Sequence, residues 1–368
     1  MKWKLNIGRY AGITVYMHTT FFILLLWIGL SHWSRGAGVA GVAGAILFIL
    51  AIFLCVVLHE FGHALAARHF GIETRDIILL PIGGVARLER MPREPVQEVY
   101  VALAGPAVNL AIAGALYLIL FATGSLAPLT TLTIASGPFL ERLMMVNVFL
   151  LVFNLIPAFP MDGGRVLRAV LALRGNYVQA TQRAAHIGQG IAFLFGIGGL
   201  MIGNPILVFI AFFVWIGAGQ EADTAKMTSA MGGIPVSQAM ITDFKYLEHQ
   251  DDLAKAVALT IAGSQNDFPV LKDDKVIGVL TQKNLLSSLQ SYGGKGAVTQ
   301  AMQKSFSTVD SEEMLEGAFR KLTNCDCHTL PVLRDGFLIG LLTMENLGEF
   351  VHIHTALEGQ RPYSGLPN

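Results

Sequence analysis

His59-Glu60-Phe61-Gly62-His63 sets two imidazoles four residues apart with a carboxylate between them. On a helix, positions i and i+4 share a face, so both rings can reach one divalent ion, and the intervening Glu60 falls beside a water held by that ion. A catalytic zinc of this kind takes a third protein ligand and keeps an open position for water. Asp162, in Asn154-Leu-Ile-Pro157-Ala-Phe-Pro160-Met-Asp162-Gly163-Gly164, is the candidate third ligand. The chemistry would be hydrolysis of a peptide bond. Zinc acidifies the water and polarises the carbonyl, and Glu60 takes the proton and passes it to the leaving amine. Blander readings stay open for both stretches: a trio of polar side chains at a helix end, and a Pro/Gly helix stop whose Asp caps the next helix.

The elements that must position these residues lie in a very apolar chain. Of 368 residues, 53% are hydrophobic and 14% charged, with mean hydropathy +0.55; an average soluble chain carries about 25% charged residues. Residues 1–222 hold 14 basic and 9 acidic side chains, leaving 12 and 17 of the 26 of each sign for residues 223–368. The first part therefore reads as membrane-embedded and the second as a soluble module. This excludes a single soluble globule and a disordered chain, which would be poor in apolar residues. Opposite charges of the two parts cancel and offer no case for nucleic-acid binding. Cys55, Cys325 and Cys327 are too few for a disulfide framework.

A span needs roughly 20 apolar residues. Six candidates run at about His18–Ser34, Gly44–Ala67, Val99–Thr123, Arg142–Ala158, Ala185–Gly203 and Pro205–Gly219. Basic residues precede the first, but no small-x-small cleavage site follows Leu30, so it is expected to be a retained helix. One set of connecting segments carries Lys2, Lys4, Arg9, Arg68, Arg75, Arg87, Arg90, Arg93, Arg165, Arg168, Arg174 and Arg183; the other carries Arg35 and Arg142. The positive-inside rule places the first set, both termini and everything after residue 220 in the cytosol. His59, His63 and Asp162 then fall at similar depth, near the cytosolic ends of their helices. Ionisable residues within spans mark functional sites by default, and broken helix around Asp162 is tolerated there only where it is buried in protein or lines a cavity.

The soluble part repeats itself at an offset of 62 residues. Val236-Ser-Gln-Ala-Met240 matches Val298-Thr-Gln-Ala-Met302, Phe268-Pro-Val-Leu271 matches Leu330-Pro-Val-Leu333, and Ile277-Gly-Val-Leu-Thr281 matches Ile339-Gly-Leu-Leu-Thr343. Each copy reads as a helix, two short strands joined by a turn, and a final helix. The copies, 236–291 and 298–352 after a linker at 223–235 and before a tail at 353–368, resemble a tandem pair of CBS domains. That resemblance implies face-to-face packing, a homodimer through these domains, and an adenine nucleotide in the cleft. Where the family commonly has an Asp on the ribose stand Asn284 and Asn346, each neutral with a single acceptor oxygen. A ligand-free regulatory or dimerisation module is the alternative.

With the zinc motif, the Asn154–Asp162-Gly163 stretch and Gly105-Pro106-Ala-Val-Asn109 in the expected order, residues 1–220 resemble the site-2 protease family of intramembrane zinc metalloproteases. The fold class expected is thus a polytopic α-helical membrane protein with a cytosolic α/β tandem CBS module. The resemblance implies one catalytic Zn2+ on His59, His63 and Asp162, with Glu60 as the proton carrier. Asn154 would be an oxyanion donor or would position the substrate backbone. Pro81–Ala86 would form a re-entrant hairpin where an unwound substrate adds as a strand, which makes Gly83, Gly84 and Asn109 candidate substrate-binding residues. The substrate would be a membrane-bound protein such as a tethered transcription regulator, cut under CBS control. Asn154 reads equally as an amide bridging helices in lipid, and Asn109 reads as such a bridge rather than as a catalytic group. His18 reads as interface packing, Cys55 as a small apolar residue near His59, and Cys325-Asp-Cys-His328 as a strand-preceding turn without metal. Rival classes are a CBS-regulated metal transporter, which needs no general base, and an inactive membrane scaffold. The segment Gly359–Asn368 is expected to be unstructured.

Overall fold

The computed structural model describes residues 4–81, 83–88, 92, 94–126, 137–325 and 329–358, and the chain divides into two compact units, Met1–Ala225 and Lys226–Asn368. The elements that begin in the first are β1 (Lys4–Tyr10), β2 (Ile13–His18), α1 (Thr20–Ser34), α2 (Gly38–His69), β3 (Thr74–Leu80), β4 (Gly83–Leu88), α3 (Pro95–Ala122), α4 (Phe139–Asn154), α5 (Asp162–Ala172), α6 (Tyr177–Met201) and α7 (Pro205–Ala230). Each of the six expected spans contains a helix, although the first begins only at Thr20 and the fourth ends at Asn154. Four of them, α2, α3, α6 and α7, are long and apolar enough to cross a membrane; α1 and α4 are shorter, at 15 and 16 residues. Trp27, Leu54, Leu118, Leu194 and Phe209 stand exposed on these helices, as suits side chains whose solvent is lipid.

The first unit also contains a four-stranded sheet, ordered β1-β2-β3-β4, where the sequence led to the expectation of a single hairpin among helices. β2 and β3 pair in parallel, and the other two pairs are antiparallel. Ile13 and Val15 of β2 and Ile77 and Leu79 of β3 point the same way, into a core with Phe21 of α1 and Phe53 and Ala64 of α2. Phe21 and Phe53 meet edge to face at 4.5 Å. His18 therefore ends a strand instead of opening a helix: its Nδ1 lies 2.8 Å from Thr20 Oγ1 at the start of α1.

Helix α2 stops where the chain must turn into this sheet. Gly71 takes φ +71°, a left-handed conformation that costs a residue without Cβ little, and the Ile72 N–H donates to the Ala67 carbonyl at 3.0 Å. The glycine-rich segment 81–86 then forms a hairpin, as the resemblance implied, although its pairing extends from Thr74 to Leu88; Ile82 lies outside the described residues. Arg87, counted above among the cytosolic charges, is paired on that hairpin with Asp76. Lys2, Arg90 and Arg93 lie outside the described residues.

In the second unit the two copies have the same element order. The first opens on a short 3₁₀ turn (Val236–Gln238) followed by β5 (Leu247–Glu248), α8 (Leu253–Ala262), β6 (Phe268–Lys272), β7 (Lys275–Leu280) and α9 (Gln282–Tyr292); the second opens on the short α10 (Val298–Ala301) followed by β8 (Val309–Asp310), α11 (Leu315–Asn324), β9 (Thr329–Arg334), β10 (Phe337–Thr343) and α12 (Met344–Glu358). Each copy closes the other. A Cβ on Gly278 would meet Met302 Sδ at 2.6 Å, and one on Gly340 would meet Met240 Sδ at 2.7 Å. The bridges Val279–Gln303 and Ile241–Leu341 obey the same exchange. Between the copies, Thr329 Oγ1 donates to Asp267 Oδ2 at 3.1 Å. The expected linker is partly helical, because α7 runs on to Ala230, and Met227 and Met231 pack in the core of the second copy. Cys327, His328 and Gly359–Asn368 lie outside the described residues.

Candidate metal centre

Two histidines four residues apart and an aspartate 99 residues beyond the second converge. His63 Nε2 lies 3.1 Å from His59 Nε2 and 3.1 Å from Asp162 Oδ2, and His59 Nε2 lies 3.2 Å from the same Oδ2. The ligand atoms thus make a nearly equilateral triangle. A tetrahedron with metal–ligand bonds of about 2.0–2.1 Å has edges of ~3.3 Å, so the triangle matches one face of a zinc site and leaves the fourth vertex open. All three residues are buried, and among the described residues they are the one group of three with donor atoms close enough to hold an ion.

Each ligand is placed by a local feature. One helical turn separates His59 from His63 on α2, and their rings meet edge to face at 4.8 Å. His63 presents Nε2 because its Nδ1 bonds the Val101 carbonyl of α3 at 2.7 Å, which orients the ring. His59 Nδ1 is buried without a hydrogen-bond partner among the described residues. Asp162 is the first residue of α5, but the capping role left open above is not what it plays. The cap position falls on Met161 and has no side-chain hydrogen bond, while the Asp162 carboxylate turns to the histidines. Arg165 Nη1 adds positive charge 3.8 Å from Oδ1.

Glycines let the backbones approach this closely. A Cβ on Gly62 would stand 2.6 Å from the Ala104 carbonyl oxygen, so α2 and α3 are in backbone contact. A Cβ on Gly105 would stand 2.2 Å from His63 Nε2 and 2.6 Å from His59 Nε2. Gly163 and Gly164 do the same for the start of α5, where added carbons would stand 2.3 Å from the Ile156 oxygen and 2.5 Å from the Phe159 nitrogen.

Glu60 lies on the hairpin side of α2. Its Oε2 accepts the Ala86 N–H of β4 at 3.0 Å, and a Cβ on Gly84 would stand 2.8 Å from its Cγ. Gly84 and Gly83 are half-buried neighbours on β4. Asn109, one turn beyond Gly105 on α3, is fully buried, and neither polar atom of its amide has a partner; it makes no hydrogen-bonded bridge among the described residues. Asn154 is the half-buried last residue of α4. Cys55 is buried one turn before His59, and its sulfur accepts from Asn147 Nδ2 at 3.4 Å, so it acts as a small packed residue. Sequence reasoning named His59, His63, Asp162 and Glu60, the first three of which the fold brings together, but could not foresee Val101, Asn147 or the Ala86 N–H. The first and last act through the backbone, which carries no residue signature.

The chain matches the family described as peptidase family M50 over residues 47–137 and 126–197, and the CBS domain over residues 236–291 and 298–352. A zinc metalloprotease of Methanocaldococcus jannaschii is 30% identical over 348 residues, which cover 94% of this chain and 96% of that protein. Stage IV sporulation protein FB of Bacillus subtilis is 29% identical over 120 residues, 32% of this chain and 38% of that one. Among solved structures, the site-2 protease from Methanocaldococcus jannaschii is 36% identical and covers 60% of this chain and 95% of that chain, with a TM-score of 0.44.

Proposed function

Since the chain belongs to peptidase family M50, the site-2 protease family, and is a zinc metalloprotease with a tandem CBS module, we propose that His59, His63 and Asp162 hold its zinc and that Glu60 carries the proton. The observation that carries this reading is the ligand triangle with edges of 3.1–3.2 Å, set beside a carboxylate on the same helix. Zinc, when bound, supplies a Lewis acid and an acidified water. The protein's own groups do the rest. Val101 fixes the His63 ring. Glu60 accepts a proton from the attacking water and returns it to the leaving nitrogen. Asn154 is the amide assigned to the developing oxyanion or to the adjacent substrate backbone, where preorganised donors act most strongly.

The substrate class is a membrane-embedded or membrane-adjacent segment of another protein, such as a tethered transcription regulator. A helical peptide bond is shielded by its own hydrogen bonds, so the segment must unwind before cleavage. β4 is an edge strand of the sheet, and the Ala86 N–H points away from its partner β3 toward Glu60. A substrate strand added along Gly83, Gly84 and Ala86 would take that N–H over from Glu60, leaving the carboxylate to the water, and would lie beside the zinc ligands. The unpartnered Asn109 amide, buried one turn from Gly105, is the further group assigned to the substrate backbone. Both termini are assigned to the cytosol, on the basic-residue bias. Arg168, one of the residues counted in that bias, is buried and ion-paired with Glu98. In the CBS pair, an adenine nucleotide is the ligand to test and a homodimer the assembly. Asn284 and Asn346 offer it neutral amides, and any control it exerts equals its differential affinity for two states of the enzyme.

The test is cleavage of a single-span protein substrate by purified protein in lipid, with and without chelation and re-addition of zinc, and the cut located by fragment mass. Zinc-dependent cleavage inside or next to the span is expected; chelator-insensitive cleavage would overturn the reading. Strand addition has its own test. Ala86→Pro removes one outward N–H at a sheet edge, a position where proline is tolerated. It is expected to raise KM for the protein substrate about tenfold, the worth of one hydrogen bond to an ordered strand, with zinc content unchanged. An unchanged KM, measured by gel-based initial rates, would remove β4 from the substrate path.

A further inference from the structure

Arg168 is the largest side chain that is fully buried, at 2% exposure, and the zinc chemistry makes no use of it. It lies on α5, six residues after Asp162, or about 9 Å along the helix axis at 1.5 Å per residue. Its guanidinium is shared among three elements. Nε donates to Glu98 Oε1 of α3 at 2.8 Å, and Nη2 donates to the same oxygen. Nη1 donates to Glu221 Oε1 of α7. Glu98 is wholly buried, whereas the Glu221 side chain is 37% exposed. The guanidinium carbon also lies 5.1 Å from the centre of the Phe159 ring and 5.0 Å from that of Tyr177.

This arrangement holds the chain on both sides of Asp162. Phe159 precedes the ligand by three residues in the connecting loop, and α5 follows it. A buried ion pair is a poor device for stability, because well-packed apolar residues commonly serve as well or better. Its use lies in geometry: a planar fork with fixed donor directions admits one relative placement of the elements it joins. Asp162 needs such a placement. It is the one ligand not on α2, and its oxygen has to keep its 3.1–3.2 Å separation from both imidazole nitrogens to within a few tenths of an ångström.

We infer that Arg168 is a positioning residue for the metal centre: by joining α5 to Glu98 of α3 and Glu221 of α7, it sets the Asp162 carboxylate against His59 and His63. The inference rests on the assignment of Asp162 as a zinc ligand. The test is metal binding by the full-length protein in detergent. Zinc affinity is measured by competition with a chromophoric chelator, and the visible spectrum of the cobalt-loaded protein and a melting curve are taken in parallel. Residues that orient metal ligands typically change metal affinity 10–100-fold when replaced. Arg168→Gln is accordingly expected to weaken zinc binding by about tenfold or more and to alter the cobalt spectrum. Arg168→Lys, which keeps the charge but not the fork, is expected to recover part of that loss. Glu221→Gln changes a partly exposed partner, so it keeps the fold if Arg168→Gln does not; about a threefold loss or more is expected from it. A purely structural role would lower the melting temperature and leave the affinity of the folded protein untouched. Zinc affinity within about twofold of wild type, with an unchanged cobalt spectrum, overturns the inference provided that Asp162→Ala has lost the metal. If Asp162→Ala binds zinc as wild type does, the ligand assignment itself fails, and this inference falls with it.

Discussion

Glu60→Gln is expected to keep one zinc per chain and to lose proteolysis, with kcat falling by about 10²–10⁴-fold, the usual contribution of a general acid–base group. The metal should stay because the ligand triangle is closed by His59, His63 and Asp162 without Glu60. The side chain should also stay in place, since a glutamine oxygen can still accept the Ala86 N–H that Glu60 Oε2 accepts at 3.0 Å. What disappears is the group that takes a proton from water and gives it to the leaving amine. Zinc content by elemental analysis, alongside cleavage of a single-span substrate, checks both halves of the expectation. Loss of zinc together with activity would make Glu60 part of the ligand set. Full activity would remove it from the reaction and revive a site without a general base.

The second large effect is expected at Gly105. Its α-carbon faces the two imidazoles so closely that an added methyl would stand 2.2 Å and 2.6 Å from their Nε2 atoms, well inside any allowed contact. The two backbones cannot easily part, because Gly62 and Ala104 already bring α2 and α3 together. Gly105→Ala should therefore displace the rings and reduce bound zinc from one per chain toward none. The fold should survive, at the usual cost of about 1–3 kcal/mol for an overpacked site. Zinc stoichiometry and helical circular dichroism of the purified variant provide the measurement. A variant holding a full complement of zinc with native affinity would mean that α3 does not form the wall of this site. Glu60→Gln removes chemistry from an intact centre, and Gly105→Ala removes the centre from an intact protein, so the pair separates proton transfer from metal retention.

The sheet shows where pattern reading stops. β3 carries Ile77-Ile78-Leu79-Leu80, apolar on both faces, so it lacks the alternation that marks a half-buried strand. β1 and β2 are short and lie just before an apolar helix, whose signal dominates any long window. Arg168 is the converse case. As a basic residue near the end of a span it counts as a cytosolic charge, yet it is buried against Glu98 and Glu221. A count of charges cannot tell a solvated arginine from one whose partners arrive from elements 70 and 53 residues away.

Residue types and spacings, with the family resemblance they carry, pointed to the zinc metalloprotease class and to a membrane part followed by a CBS pair. The H-E-x-x-H turn is local, since four residues span one turn of any helix. The apolar runs follow from the thickness of a bilayer, and the CBS pair from an offset of 62 that survives in the letters. The family and its zinc chemistry were legible for the same reason. Folding alone decided which groups share a point in space. It set Asp162 Oδ2 3.1–3.2 Å from both histidines, the Val101 carbonyl on the outer nitrogen of His63, the edge N–H of Ala86 on Glu60, and Gly105 as the one residue small enough to face the two rings. Those placements are sums of packing between α2, α3, α5 and β4. Such packing acts through backbone atoms and through the absence of side chains, and neither leaves a periodic trace in the sequence.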